Sequence, residues 1–152
     1  VTPTPESIQD FYRMFALTEG LIAELAARRA SLAEITRLRL INAQIEALDP
    51  ADRAHADAYR QLNVAFHTEL HAMARSPLVC GRQLANFELS DFFIVQTCGF
   101  GAHLDHVAGE HQAVIEAIAA RQPEQANAAA RAHIESVSGT VATALDVPSA
   151  AT

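Results

Sequence analysis

Apolar residues recur at three- and four-residue steps along almost the whole chain, and no segment alternates apolar and polar in the two-residue period of a half-buried strand. That pattern restricts the fold to packed amphipathic helices, the all-α class. Ile8, Phe11, Tyr12, Phe15, Leu21, Ile22 and Leu25 predict a first helix over about 6–29. Ser31-Leu32-Ala33-Glu34 has the spacing of a capping box and opens a second helix, with Leu32, Ile35, Leu38, Ile41 (or Leu40) and Ile45 on one stripe. Asp49-Pro50 reads as an N-cap acid followed by proline at the first helical position, so the third helix is expected from Pro50 to about Ala74. Arg75-Ser76-Pro77 breaks it. The fourth and most apolar helix runs from Pro77 to about Thr97, with Gly99-Phe100-Gly101 as a hinge after it. A fifth covers about 102–120, and Gln122-Pro123-Glu124 opens a sixth that ends near Leu145, with Asp146–Thr152 a loose tail. Links this short favour an antiparallel bundle of about six helices.

The chain has 152 residues, the size of one domain, with its core expected within 6–145. Its 11 basic residues are all arginine and are outnumbered by 18 acids, for a net charge of −7. Phosphate binding needs a positive footprint, so this balance argues against the segment gripping DNA by its own surface. Cys80 and Cys98 make no disulfide framework. No apolar run reaches the roughly 20 residues that span a bilayer, so no membrane partner is expected. Val1-Thr2-Pro3-Thr4-Pro5 lacks the basic and apolar stretches of a secretory signal, and the chain is expected to be a piece of a longer cytoplasmic protein.

Seven histidines, at 55, 67, 71, 103, 106, 111 and 133, raise the question of convergence. Asn63 and His67 lie four apart, hence on one helical face, and His71 extends the stripe by a turn. Ile115 and Ile118 follow His111 at i+4 and i+7, which puts His111 on an apolar side. Ala130, Ile134 and Val137 do the same for His133. Imidazoles sunk in an apolar core need partners, and a divalent metal is one that several can share. Glu110 and Glu69 neighbour His111 and His67 in sequence but point about 100° away on a helix, so neither is placed as a general base.

In order along the chain, Asn63-x-x-x-His67, Glu110-His111-x-x-x-Ile115 with Ala117-Ile118 after it, and Ala132-His133-Ile134 resemble the FCD domain. That is the C-terminal effector-binding domain of the FadR subfamily of GntR transcription regulators. Phe66-His67-x-x-Leu70 followed by Ala72-Met73-Ala74-Arg75-Ser76-Pro77-Leu78 is similar to the family's break after its third helix. Glu19-Gly20-Leu21-Ile22-Ala23-Glu24-Leu25-Ala26-Ala27 is similar to its first helix, and Gln122-Pro123-Glu124-x-Ala126 to a later link. The resemblance covers about 6–145.

It implies a helical bundle with a central pocket, a homodimer, and operator binding through a winged-helix domain that normally precedes the bundle and is absent from this chain. In the metal-binding branch of the family the ion is held by positions that are here Asn63, His67, His111 and His133, and small organic acids are the usual effectors. Three imidazoles and an amide suit zinc, nickel or manganese. Because all four are neutral, the ion's +2 is left to attract an anionic effector. The family often has Asp where this chain has Asn63, and many members have an arginine where it has Phe15. The effector carboxylate is then held otherwise, with Arg13 and Arg82 as candidate substitutes, or the effector is more apolar. A regulator domain, not an enzyme, is the expectation. The alternatives are a metal-dependent helical enzyme and a metal-free dimerisation module built on the exposed faces of helices one and four.

Overall fold

The computed structural model describes residues 2–145. Helix α1 spans Pro5–Arg29, with the Thr4 hydroxyl accepting from the Ser7 N–H and Pro5 in the first turn. Helix α2 spans Leu32–Glu46 and carries both halves of the expected capping box: Ser31 accepts from the Glu34 N–H, and Glu34 accepts from the Ser31 N–H. Helices α3 (Ala54–Ala74) and α4 (Pro77–Gln96) follow, then a 3-10 turn at Phe100–His103, α5 (Leu104–Ala119) and α6 (Pro123–Ala144). The fold is all-α. Among the described residues no helix is long and apolar enough to cross a membrane. The expected tail at Asp146–Thr152 lies outside the described residues.

Two expectations need correction. Helix α3 begins at Ala54, not at Pro50. The Asp49 carboxylate accepts from the Ala51 N–H and Asp52 from the Ala54 N–H, each at 2.9 Å, so two aspartates hold residues 50–53 in a turn. The buried stripe of α2 is Ile35, Leu38, Asn42 and Ile45, whereas Leu32 and Leu40 are exposed. Asn42 takes a stripe position because its amide donates to the Ala108 carbonyl at 3.0 Å and ties α2 to α5.

Helix α1 packs most extensively on α6 and also meets α3, α4 and α5, while α2 lies on α3 and α5. Gly20 permits the α1–α6 approach: a Cβ there would stand 2.7 Å from Arg131 Cγ. Two apolar clusters result. One gathers Ile22, Leu38, Phe66, Ile115 and Ile118, and the other Tyr12, Phe15, Phe93, Ile134 and Val141. Full burial of side chains of this size contributes about 1.5–3 kcal/mol each. Helix α4 buries only Gln83, Ser90 and Phe93 and meets the bundle chiefly through α1. At its end Gly99, at φ 74°, makes the reversal expected of the Gly-Phe-Gly hinge.

Candidate functional site

Helix α3 presents Asn63, His67 and His71 at i, i+4 and i+8; α5 brings His111 and α6 brings His133. The three rings of His67, His111 and His133 meet in the bundle interior, with centroids 5.3, 5.6 and 4.7 Å apart pairwise. One ring nitrogen from each lies within 4.8 Å of the others. His67 touches Phe66 of one apolar cluster and Phe87 beside the other, so the histidines sit where the two clusters meet. His111 is fully buried and stacks flat on Phe66 at 3.7 Å.

Two carboxylates orient His67 and His133. Glu19, fully buried on α1, accepts from His67 Nδ1 at 2.8 Å, from His71 Nε2 at 3.1 Å and from Gln83 Nε2 at 2.8 Å. Glu110 accepts from His133 Nδ1 at 2.7 Å and from His103 Nε2 at 2.8 Å. His67 and His133 therefore each turn a protonated Nδ1 to a carboxylate, which leaves Nε2 as the nitrogen facing the cluster. Burial disfavours ionisation of Glu19, but the charge of His71 and the imidazole hydrogen bonds outweigh it and hold the carboxyl well below the usual range. Glu110 is held low in the same way by His103 and His133, again against burial. Burial lowers His67 to about 4, although its bond to Glu19 opposes this. Burial, with His133 and His67 beside it, lowers His111 well below the ordinary histidine value. Both rings are neutral at pH 7, the state that ligates a cation.

Among the described residues, five buried side-chain nitrogen or oxygen atoms lack a hydrogen-bond partner, and four of them belong to this cluster: Asn63 Oδ1, His67 Nε2 and both ring nitrogens of His111. Buried polar atoms are seldom left so. Orphaned donor atoms on α3 and α5, with His133 of α6 beside them and carboxylates behind His67 and His133, are the arrangement a divalent ion would complete.

A cavity of about 480 Å³, counted with its mouth, opens beside the cluster. Asn63, His67 and His133 line it, as does Phe15, which meets Phe87 edge-on at 4.7 Å. Arg13 and Arg82 do not line it; both are exposed. Arg13 stands two residues, about 200°, round α1 from the inward Phe15, and Arg82 neighbours the buried Gln83 about 100° away. No arginine is among the lining residues. Glu69 pairs with Arg37 on α2 at 2.9 Å, away from the cluster. Glu110 does point away from His111, yet it lands on His133 across the helix interface.

Sequence reasoning missed Glu19 and Gln83 as members of the site. The signal for Glu19 was present: an acid at the i+4 place of an apolar stripe, between Phe15 and Ile22. The model of one known family, the FCD domain, matches residues 10–136. No curated protein matches the chain.

Proposed function

The chain belongs to the FCD domain family, the C-terminal effector-binding domain of GntR-type transcription regulators, and on that premise we propose that it senses a small organic acid through a divalent metal ion held by Asn63, His67, His111 and His133. The observation that carries this reading is the set of orphaned donor atoms on Asn63, His67 and His111, grouped with a ring nitrogen of His133 beside an open cavity. When bound, the ion would supply a double positive charge that its four neutral ligands leave uncancelled and that Glu19 and Glu110, behind the imidazoles, offset only in part, so that it attracts a carboxylate. The chain's own residues do the rest. Glu19 and Glu110 fix the imidazole tautomers, and the aromatic walls at Phe15 and Phe87 shelter the ligand from water. Zinc, nickel and manganese all suit the donor set. Residues 6–145 act as one cytoplasmic effector domain, with DNA bound through a winged-helix domain elsewhere in the full-length regulator.

Charge sets the test. A small carboxylate at a hundredfold excess over its dissociation constant is expected to stabilise the metal-loaded chain by about 2.7 kcal/mol. Most of that gain disappears in the metal-free chain, because no arginine lines the cavity. Asn63→Asp is expected to tighten metal binding and weaken acid binding, since the added carboxylate cancels part of the ion's charge. Thermal melts with and without chelator measure both. Equal acid binding with and without metal contradicts the reading.

Helices α1 and α4 leave Met14, Leu17, Phe92 and Val95 about half exposed or more, and we assign the homodimer contact to them. Phe92→Glu should shift sedimentation equilibrium toward monomer; an unchanged dimer, or a wild type that is monomeric at micromolar concentration, contradicts this.

A further inference from the structure

The cavity has a second polar feature besides the histidine cluster. Asp91, on α4, lines it with its side chain 20% exposed. Burial pushes its carboxyl up from the ordinary value, and Arg60 opposes the shift. Arg60 is its one ion-pair partner among the described residues, at 3.8 Å, beyond hydrogen-bond reach. The Arg60 guanidinium also lies over the Phe100 ring at 5.3 Å, and Phe100 lines the cavity. The cation at this wall is thus already matched to an acid and held against an aromatic face. Tyr59, 4% exposed, also lines the cavity, and its hydroxyl has no hydrogen-bond partner among the described residues. Burial raises its pKa, so it stays a neutral hydroxyl. Aromatic and aliphatic side chains, including Phe15, Phe87, Ile94 and Val137, form much of the remaining wall.

A dicarboxylate in this space finds a place for one of its charges only. The second meets an acid whose single cation is spoken for and a largely apolar wall, where the neutral Tyr59 hydroxyl can donate one bond but supplies no balancing charge. A hydroxyl or ammonium group meets an acceptor short of donors. We propose that Asp91 is the specificity-determining residue of the cavity, selecting a monocarboxylate that carries a hydrogen-bond donor at its other end and rejecting a second carboxylate. This rests on the metal-anchored reading above and names the chemical class of its effector.

Calorimetry on the zinc-loaded chain at neutral pH tests it with matched pairs: 4-hydroxybutyrate against succinate, and their longer homologues. At the best-fitting length the hydroxy acid is expected to bind about tenfold tighter than the diacid, the scale of one hydrogen bond to a charged group. Asp91→Asn should bring the ratio close to one, mainly by tightening the diacid. Arg60→Met, which leaves the Asp91 charge unopposed, should widen the ratio and serves if the first variant folds poorly. A wild type that prefers the diacid, as when Arg60 swings in to receive it, overturns the role of Asp91 alone. So does a ratio that neither substitution changes. Failure of the wild type to bind any of the acids overturns the parent reading and this inference with it.

Discussion

Glu19→Ala is expected to destabilise the chain by about 3–5 kcal/mol, the cost of removing one partner from a buried charged network. The carboxylate accepts from three side chains on two other helices: His67 and His71 on α3 and Gln83 on α4. Alanine leaves His67 and Gln83 as buried donors and His71 as a part-buried one, and each buried unsatisfied group costs about 1–3 kcal/mol. Gln83 retains its bond to the Phe15 carbonyl, which softens its share. Glu19→Gln separates charge from shape. It fills the same space but turns an amide N–H₂ toward at least one imidazole, and its loss should fall between wild type and alanine. Urea unfolding at neutral pH, without metal, measures all three. A loss below about 1 kcal/mol for alanine would mean the network is not held by Glu19. Because Glu19 also sets the His67 tautomer, the nitrogen NMR signals of His67 in Glu19→Gln should show a mixture of tautomers where wild type shows one.

His111→Leu should change stability in opposite directions with and without metal. In the metal-free chain His111 is wholly buried and neither ring nitrogen has a partner among the described residues. Leucine removes both orphaned atoms and keeps an apolar contact against Phe66. It forfeits the flat stacking at 3.7 Å, worth about 0.5–1.5 kcal/mol. Relief of two unsatisfied polar atoms exceeds that loss, so the metal-free variant should gain about 1–3 kcal/mol over wild type. With zinc at a hundredfold excess over its dissociation constant, wild type should gain about 2.7 kcal/mol and the variant almost nothing. Paired melts in chelator and in zinc give both signs in one experiment. A variant less stable than wild type in chelator shows that His111 is satisfied without metal. A variant that keeps the zinc gain shows that it is not a ligand.

Much of this was legible in the sequence because it is local. The Ser31–Glu34 box and the proline-marked starts of α4 and α6 act over one helical turn, and spacing alone reports them. The same holds for the inward phase of His111 and His133, which follows from their apolar neighbours, and for the shared face of Asn63 and His67, which follows from their four-residue spacing. What escaped depends on one helix meeting another. Glu110 was read correctly as turned from His111, but only the packing of α5 on α6 shows that it lands on His133. Glu19 reaches residues 48 and 64 positions away, and nothing local announces them. Arg13 and Arg82 were candidates by charge, while helix phase puts both on the outside. The start of α3 was misplaced for a local reason: Asp49 and Asp52 each offered a side-chain bond that competes with the helix, and a proline at the first helical position does not decide between them.

Anomalous diffraction at the zinc edge, from crystals of the chain grown with zinc, tests the central claim most directly, because the buried histidines and acids form three overlapping groups that could each hold an ion. The expected result is one strong peak per chain, enclosed by His67 Nε2, His133 Nε2, a ring nitrogen of His111 and Asn63 Oδ1. A peak on the Glu19–His71 side, a peak between His103 and Glu110, or no peak within the bundle would contradict it.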